Sequence, residues 1–239
     1  LPASPKADVA TVKRVFVVDD HPMIREGLAA QLANEPTLTI CGEAEDVAEA
    51  LARVPLAEPD LVIVDISLKT GNGIDLVKRL KAHDPSLVIL VWSMYPESLY
   101  AERALRAGAR GYINKGQSAR QIIDAVRTVL DGRTYLSAEM SEKLLNQVIN
   151  NAMDNGAASN VENLTDRELE TYELLGQGLT TQEIAERMHV GHKTVETYRA
   201  RIKEKLGLRN AVELVQHAVQ WVMEKTAPGL DALRNSPPS

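Results

Sequence analysis

The chain has 239 residues, 44% of them hydrophobic, one cysteine and a formal net charge of −6. That length leaves room for one large or two small domains; the lone Cys41 excludes an intramolecular disulfide and fits a reducing compartment, and the acidic balance confines any nucleic-acid surface to a local patch. No apolar run reaches the roughly 18–20 residues of a membrane-spanning helix, and Leu1–Lys13 lacks the basic-then-apolar order of a secretory leader, so a cytoplasmic protein with no membrane partner is expected.

Residues 1–12, with two prolines, read as a loose tail. Arg14–Asp20 (RVFVVDD) is an apolar run ending in two carboxylates and reads as a strand. His21–Asn34 has helical periodicity, with Ile24, Leu28 and Leu32 on one stripe. Leu38–Ala44 follows as a strand, and Asp46–Val54 as a helix with Asp46 at its N-cap. Leu61–Asp65 (LVIVD) is apolar up to its closing carboxylate, the pattern of a strand buried on both faces of a parallel sheet. Gly71-Asn72-Gly73 marks a turn, Ile74–His83 an amphipathic helix, Leu87–Ser93 a strand, and Pro96–Ala107 a helix closed by Gly108. Gly111–Lys115 (GYINK) is a short strand. Ser118–Leu130 is a helix that buries Ile122, Ile123, Val126 and Val129 and is closed by Gly132. Strands alternating with helices imply an α/β fold: a five-stranded, doubly wound parallel sheet, over residues 14–132.

The pattern then changes. Ser137–Ala152 reads as a helix, and Met153–Asn163, rich in Asn, Ala, Ser and Gly, as a linker, so 133–163 is expected to be connecting chain. From Leu164 to about residue 226 there is no strand signal, which implies a small all-α domain. Thr165 with Glu168 forms a capping box ahead of Leu169, Tyr172 and Leu175. Leu179–Met188 and a helix from about Lys193 to Leu206, joined through His189-Val190-Gly191, read as a helix-turn-helix. In Ala211–Val222 the residues Leu214, Val215, Ala218, Val219 and Val222 form either core or a dimer seam. Residues 227–239 read as a tail.

In an open α/β sheet, chemistry sits beyond the carboxyl ends of the strands. Asp19, Asp20 and Asp65 converge there and repel one another. An oxygen-only set of this kind calls for Mg²⁺ rather than Zn²⁺. Ser93 and Lys115, at two further strand tips, suit a phosphoryl group, and a carboxylate can be the nucleophile that accepts it. Asp-Asp after the first strand, Asp after the third, Ser after the fourth and Tyr-x-x-Lys on the fifth resemble the receiver domain of two-component response regulators, a flavodoxin-like fold. The resemblance implies that Asp65 takes a phosphoryl group from a sensor histidine kinase. It implies that Asp20, Asp65 and the Ser67 backbone carbonyl hold Mg²⁺, with Asp19 supporting the site largely through water. Lys115 would pair with Asp65 and then with the phosphate, Ser93 would bond a phosphoryl oxygen, and Tyr112 would turn inward behind it. Lys69 stands where many receivers have proline. Met94 stands where many have a small residue, and it and Tyr95 are expected to shield the phosphorylated form and slow its hydrolysis.

The helix Lys193–Leu206 gathers Lys193, Arg199, Arg201, Lys203 and Lys205 against Glu196 and Glu204, the local basic footprint of a DNA reader. Leu164–Trp221 resembles the LuxR-type DNA-binding domain through Thr165, Glu168, Gly178, Ile184, Ala185, Thr194, Val195, Lys205, Leu206 and Gly207, with Gly191 and Tyr198 in place of a usual Ser and His. The whole chain thus resembles a NarL/FixJ-class response regulator and not an enzyme. The resemblance implies that this helix enters the major groove of double-stranded DNA. Glu196, Thr197, Ala200 and Arg201 would face base edges, while Lys193, Arg199, Lys203 and Lys205 would face phosphates, and a homodimer would form on phosphorylation. Two rivals stand beside this reading: a receiver that is only a constitutive dimerisation module, and a phosphatase of doubly wound fold.

Overall fold

A computed structural model describes residues 12–151 and 160–226. The expected tails and the centre of the expected linker lie outside the described residues. The chain divides into two compact units, Leu1–Asp154 and Asn155–Ser239.

In the first unit, β1 (Lys13–Val18), β2 (Leu38–Ala44), β3 (Leu61–Val64), β4 (Val88–Ser93) and β5 (Gly111–Asn114) form one parallel sheet in the order β2-β1-β3-β4-β5. The helices between them are α1 (Pro22–Leu32), α2 (Val47–Ala57), α3 (Gly73–His83), α4 (Glu97–Ala107) and α5 (Ala119–Leu130). Alternate strand residues face opposite layers. Val15, Val17, Leu61, Ile63 and Leu90 pack with Leu28 and Leu32 of α1 and with Ile122, Val126 and Val129 of α5. β3 is buried along its whole length, as an interior strand covered on both faces must be.

Local sequence explains most boundaries. The Asp46 side chain accepts from Glu49 N at 2.8 Å and starts α2. Contrary to expectation, α2 does not stop at Val54 but runs through Pro55 to Ala57. A proline in the last turn costs one hydrogen bond without forcing a stop, and the helix ends where Glu58 turns left-handed at φ 41°.

Beyond β5 the chain does not leave the unit. Tyr135 adds a parallel bridge to Gly111, with Tyr112 N donating to Tyr135 O at 3.0 Å. A sixth helix, α6 (Ala138–Asn151), then packs on α4. Ser137 N donates to Glu97 Oε1 at 2.8 Å, Lys143 Nζ to Ser98 O at 3.1 Å, and Met140 is buried. Much of the stretch expected as connecting chain is thus part of the first unit.

The second unit holds α7 (Asp166–Gly176), α8 (Thr181–Arg187), α9 (His192–Leu206) and α10 (Ala211–Thr226). Capping boxes start α7 (Thr165 with Glu168) and α8 (Thr180 with Glu183). Between α8 and α9 the left-handed residue is His189 at φ 51°, whereas Gly191 is an extended N-cap at φ −72°. The turn's left-handed step is thus made by His189 and not by its glycine. α10 buries Leu214 and Ala218, half-buries Val215, Val219 and Val222, and exposes Val212 and Met223.

Candidate functional site

The strand order reverses between β1 and β3, and crevices at such switch points hold ligands. Val18 is in register with Val64, and Asp65 N donates to Val18 O at 2.9 Å. The register sets Asp19 and Asp65 abreast, just past the two strand tips. Both are buried. Lys115 N donates to Ser93 O at 2.9 Å, which brings those two residues to the same end of the sheet.

Lys115 Nζ stands 2.5 Å from Asp19 Oδ2 and 2.6 Å from Asp65 Oδ2, with its side chain 3% exposed. Asp19 is therefore a direct partner of the lysine, where sequence reasoning gave it a role through water. Burial pushes the Asp65 carboxyl above the usual range and the Asp19 charge adds to this, while Lys115 opposes it. Burial alone would lower the Lys115 ammonium, but Asp65 and Asp19 together hold it above its ordinary value. Trp92 backs the ammonium, 5.6 Å from ring centroid to Nζ, a cation–π contact.

The loop after Asp65 is folded tightly against it. A Cβ on Gly73 would lie 2.0 Å from the Asp65 carbonyl oxygen, so only glycine fits there. Buried Asn72 accepts from Ile74 N at 2.8 Å and caps α3, and Asn72 also forms a bridge with Ser67. This bridge fixes the Ser67 backbone two residues beyond Asp65.

Asp20 Oδ1 meets His21 Nδ1 at 2.6 Å, and His21 N donates to Asp19 Oδ1 at 2.9 Å. One potential ligand atom from each of Asp19, Asp20, His21 and Asp65 lies within 4.8 Å of all the others. Sequence reasoning missed His21; its only signal was its place directly after Asp19-Asp20. Asp65 Oδ1 and Ser93 Oγ are buried and lack a well-formed hydrogen bond. Three carboxylates against one ammonium, with a buried unpartnered oxygen, are an acidic pocket that fits a divalent cation.

Behind the pocket, Tyr112 is fully buried and its hydroxyl donates to Tyr95 O at 2.8 Å. Asn114 Nδ2 donates to Met94 O and Tyr95 O. The Tyr95 ring, expected as a shield, is instead stacked on Tyr100 of α4, with centroids 4.7 Å apart; Met94 is the exposed member of the pair.

On α9, Lys193, Glu196, Thr197, Ala200 and Arg201 are exposed and recur at three- and four-residue steps, hence on one face. Val195, Ile202 and Leu206 are buried on the other side. Thr194 and Lys203 are half-buried. Two expected phosphate contacts have other work. Lys205 Nζ bonds Glu168 Oε2 at 2.6 Å and Asn163 O at 3.2 Å. Arg199 bonds Thr181 Oγ1 and lies 3.5 Å from Glu196 Oε1, which also accepts from Thr181 at 3.1 Å. Burial would raise the Glu168 carboxyl, but Lys205 and the Thr165 N–H hold it below its ordinary range.

A 2-1-3-4-5 sheet with an aspartate–lysine pocket at its switch point, followed by a helix-turn-helix unit, defines a two-component response regulator with a DNA-binding output. Residues 15–127 match the model of the response regulator receiver domain, and 162–218 match that of the bacterial regulatory proteins of the luxR family. Over 210 residues the chain is 37% identical to the DNA-binding transcriptional activator DevR/DosR of Mycobacterium tuberculosis, covering 87% of this chain and 94% of that one. It is 34% identical to the oxygen regulatory protein NreC of Staphylococcus carnosus, covering 87% and 97%. It also resembles RcsB of Salmonella enterica serovar Typhimurium, solved bound to promoter rprA with the phosphomimetic BeF3−: TM-score 0.58, 25% identity, 87% of this chain and 98% of that one. The chain belongs to the NarL/FixJ class of response regulators, a family of transcription regulators. Among the described residues no helix is long and apolar enough to cross a membrane.

Proposed function

We propose that Asp65 accepts a phosphoryl group from a sensor histidine kinase, and that this controls dimerisation and sequence-specific DNA binding in the cytoplasm. The observation that carries the reading is the state of Asp65: buried at a strand tip, with Oδ2 held by Lys115 and Oδ1 buried beside the Ser93 hydroxyl without a well-formed hydrogen bond. Oδ1 attacks phosphorus as the bond from phosphorus to the kinase's histidine nitrogen breaks, and the phosphoryl group passes to Asp65. Lys115 fixes the carboxylate during attack and afterwards meets the added charge, about −1.5 to −2 at pH 7. Asp20, Asp65 and the Ser67 carbonyl would hold Mg²⁺, with Asp19 behind them; the ion supplies charge neutralisation between carboxylate and phosphoryl oxygens.

A phosphoryl oxygen draws the Ser93 hydroxyl toward it. The next residues carry the movement outward, because Tyr112 and Asn114 grip the carbonyls of Tyr95 and Met94. Glu97 and Ser98 follow at the start of α4, and these are the residues that hold α6. Loosening α6 alters the tether to the second unit. Moving such an equilibrium from 1:99 to 99:1 takes about 5.5 kcal/mol.

For DNA, the exposed face of α9 supports base contacts by Glu196, Thr197, Ala200 and Arg201, flanked by Lys193, Thr194 and Lys203 at phosphates. Arg199 and Thr181 brace Glu196. Lys205 serves the fold rather than the phosphates. The exposed Val212 and Met223 on α10 suit a seam between two copies.

The test is incubation with Mg²⁺ and acetyl phosphate, followed by intact mass and peptide mapping. One phosphoryl group on the peptide containing Asp65, absent in Asp65→Asn, is expected. Equal labelling of Asp65→Asn overturns the assignment.

A further inference from the structure

We propose that Trp92 is a positioning residue for phosphoryl acceptance: its indole face holds the Lys115 ammonium beside Asp65 through a cation–π contact. The inference deepens the phosphoacceptor reading above and rests on it.

The sheet order is the first ground. Lys115 follows β5, whereas its partners Asp65 and Asp19 follow β3 and β1, so β4 lies between. Two strand spacings are roughly 10 Å, and a flexible four-carbon stem must cross them to bring its ammonium to Asp65. Trp92 is on β4, in register with Ile113 of β5. Ile113 and Lys115 are two residues apart and share a side, which makes Lys115 the diagonal neighbour that an aromatic side chain can reach. The contact is made: Lys115 Nζ lies over the indole, 5.6 Å from its centroid. The half-buried Trp92 also packs against the core that holds Leu90, Ile113 and Ile122, and this packing keeps the ring in place.

The chemistry of the ammonium is the second ground. It is almost wholly buried and carries three N–H donors. Asp19 Oδ2 and Asp65 Oδ2 stand close enough to answer two of them, and the other partner the structure gives it is the Trp92 ring. A further carboxylate or carbonyl would hold the ammonium by another directional bond. An aromatic face within about 6 Å attracts the charge without one, and it adds no charge to a pocket that already gathers three carboxylates. Lys115 is thereby held in place yet able to turn from Asp65 to a phosphoryl oxygen. A leucine at this position would fill the core contact and give no such attraction. Trp92 acts through Lys115 and is not itself a catalytic residue.

The full-length chain is incubated with Mg²⁺ and acetyl phosphate as wild type, Trp92→Phe and Trp92→Leu, and the initial rate of Asp65 labelling is read by intact mass and peptide mapping. Wild type and Trp92→Phe are also prepared with mono-, di- and trifluorotryptophan, which keep the shape of the ring and weaken its pull on a cation. In Trp92→Phe the analogue sits only at Trp221, so that protein is the control. Expected are a rate about three- to tenfold lower in Trp92→Leu, most of it recovered in Trp92→Phe, and a stepwise fall with fluorination in the wild type alone. A Trp92→Leu protein labelled at the wild-type rate overturns the inference and leaves the phosphoacceptor reading standing. So does a wild-type rate that fluorination leaves unmoved, or lowers equally in Trp92→Phe, even where Trp92→Leu is slow through lost packing. No labelling of Asp65 in the wild type overturns both.

Discussion

Replacing Asp65 by Asn should stabilise the first unit, although it destroys the phosphoacceptor. At an effective dielectric constant near 20, attraction between Asp65 and Lys115 at 2.6 Å is worth about 6 kcal/mol. Repulsion from Asp19 and from Asp20, each with ligand atoms no more than 4.8 Å away, is at least about 3.5 kcal/mol apiece. The repulsion therefore at least offsets the attraction. What remains is the cost of keeping a carboxylate ionised in a buried pocket. An asparagine side chain at this position would keep the shape, accept from Lys115 and remove that cost, leaving Asp19 and Lys115 as a balanced pair. We expect Asp65→Asn to gain roughly 1–3 kcal/mol at pH 7 without divalent cations, of the order found when functional strain is relieved. The raised carboxyl fixes the pH dependence: ionised Asp65 costs stability above its folded pKa, and the wild type recovers stability as pH falls through that value. The advantage of the Asp65→Asn variant therefore shrinks on acidification, and Mg²⁺ at pH 7 reverses it by stabilising only the wild type. Urea unfolding at pH 7 and pH 5, with EDTA or with Mg²⁺, measures all of this. A wild type more stable than Asp65→Asn at pH 7 in EDTA refutes the reasoning.

Lys115→Ala leaves Asp19 and Asp65 without their cation and should cost about 3–5 kcal/mol at pH 7, part of which Asp65→Asn restores in the double variant; equal losses in both backgrounds would contradict the pairing. Lys193→Ala should reduce the slope of log Kd against log salt for DNA by about 0.9, because Lys193 is exposed and assigned to a phosphate. Lys205→Ala should leave the slope unchanged while lowering the second unit's stability, a contrast measured by salt titration and thermal melting. Glu97→Ala should remove a cap worth about 1 kcal/mol, seen as faster amide hydrogen exchange over Ser137–Leu144. The second unit should lose stability as pH falls through the depressed Glu168 value, because Glu168 stabilises when ionised; Glu168→Gln should flatten that acid limb.

The sheet and its pocket were legible because the signals are strong and local. A wholly apolar LVIV run of strand length, rich in β-branched residues, reads as an interior strand, and the carboxylates after β1 and β3 meet because those two strands lie abreast. What escaped was set by contacts distant in sequence. The helix read at Ser137–Ala152 is there as α6, but nothing near Ser137 announces that Glu97, 40 residues earlier, takes its N–H and docks it on the first unit. Lys205 and Arg199 read as phosphate contacts from a basic helix alone. Their partners Glu168 and Thr181 lie 37 and 18 residues away. The turn between α8 and α9 was legible from its glycine, but that His189 takes the left-handed conformation has no local sequence signal.

The central claim is that the state of Asp65 governs the DNA-reading unit. Oligomeric mass and DNA binding, measured together with Mg²⁺ and with or without beryllofluoride on wild type and Asp65→Ala, test it most directly. Dimerisation and tighter DNA binding driven by beryllofluoride only in the wild type is the expected result. Dimers that bind DNA equally well in both proteins, with and without beryllofluoride, would make the first unit a passive scaffold and contradict the account.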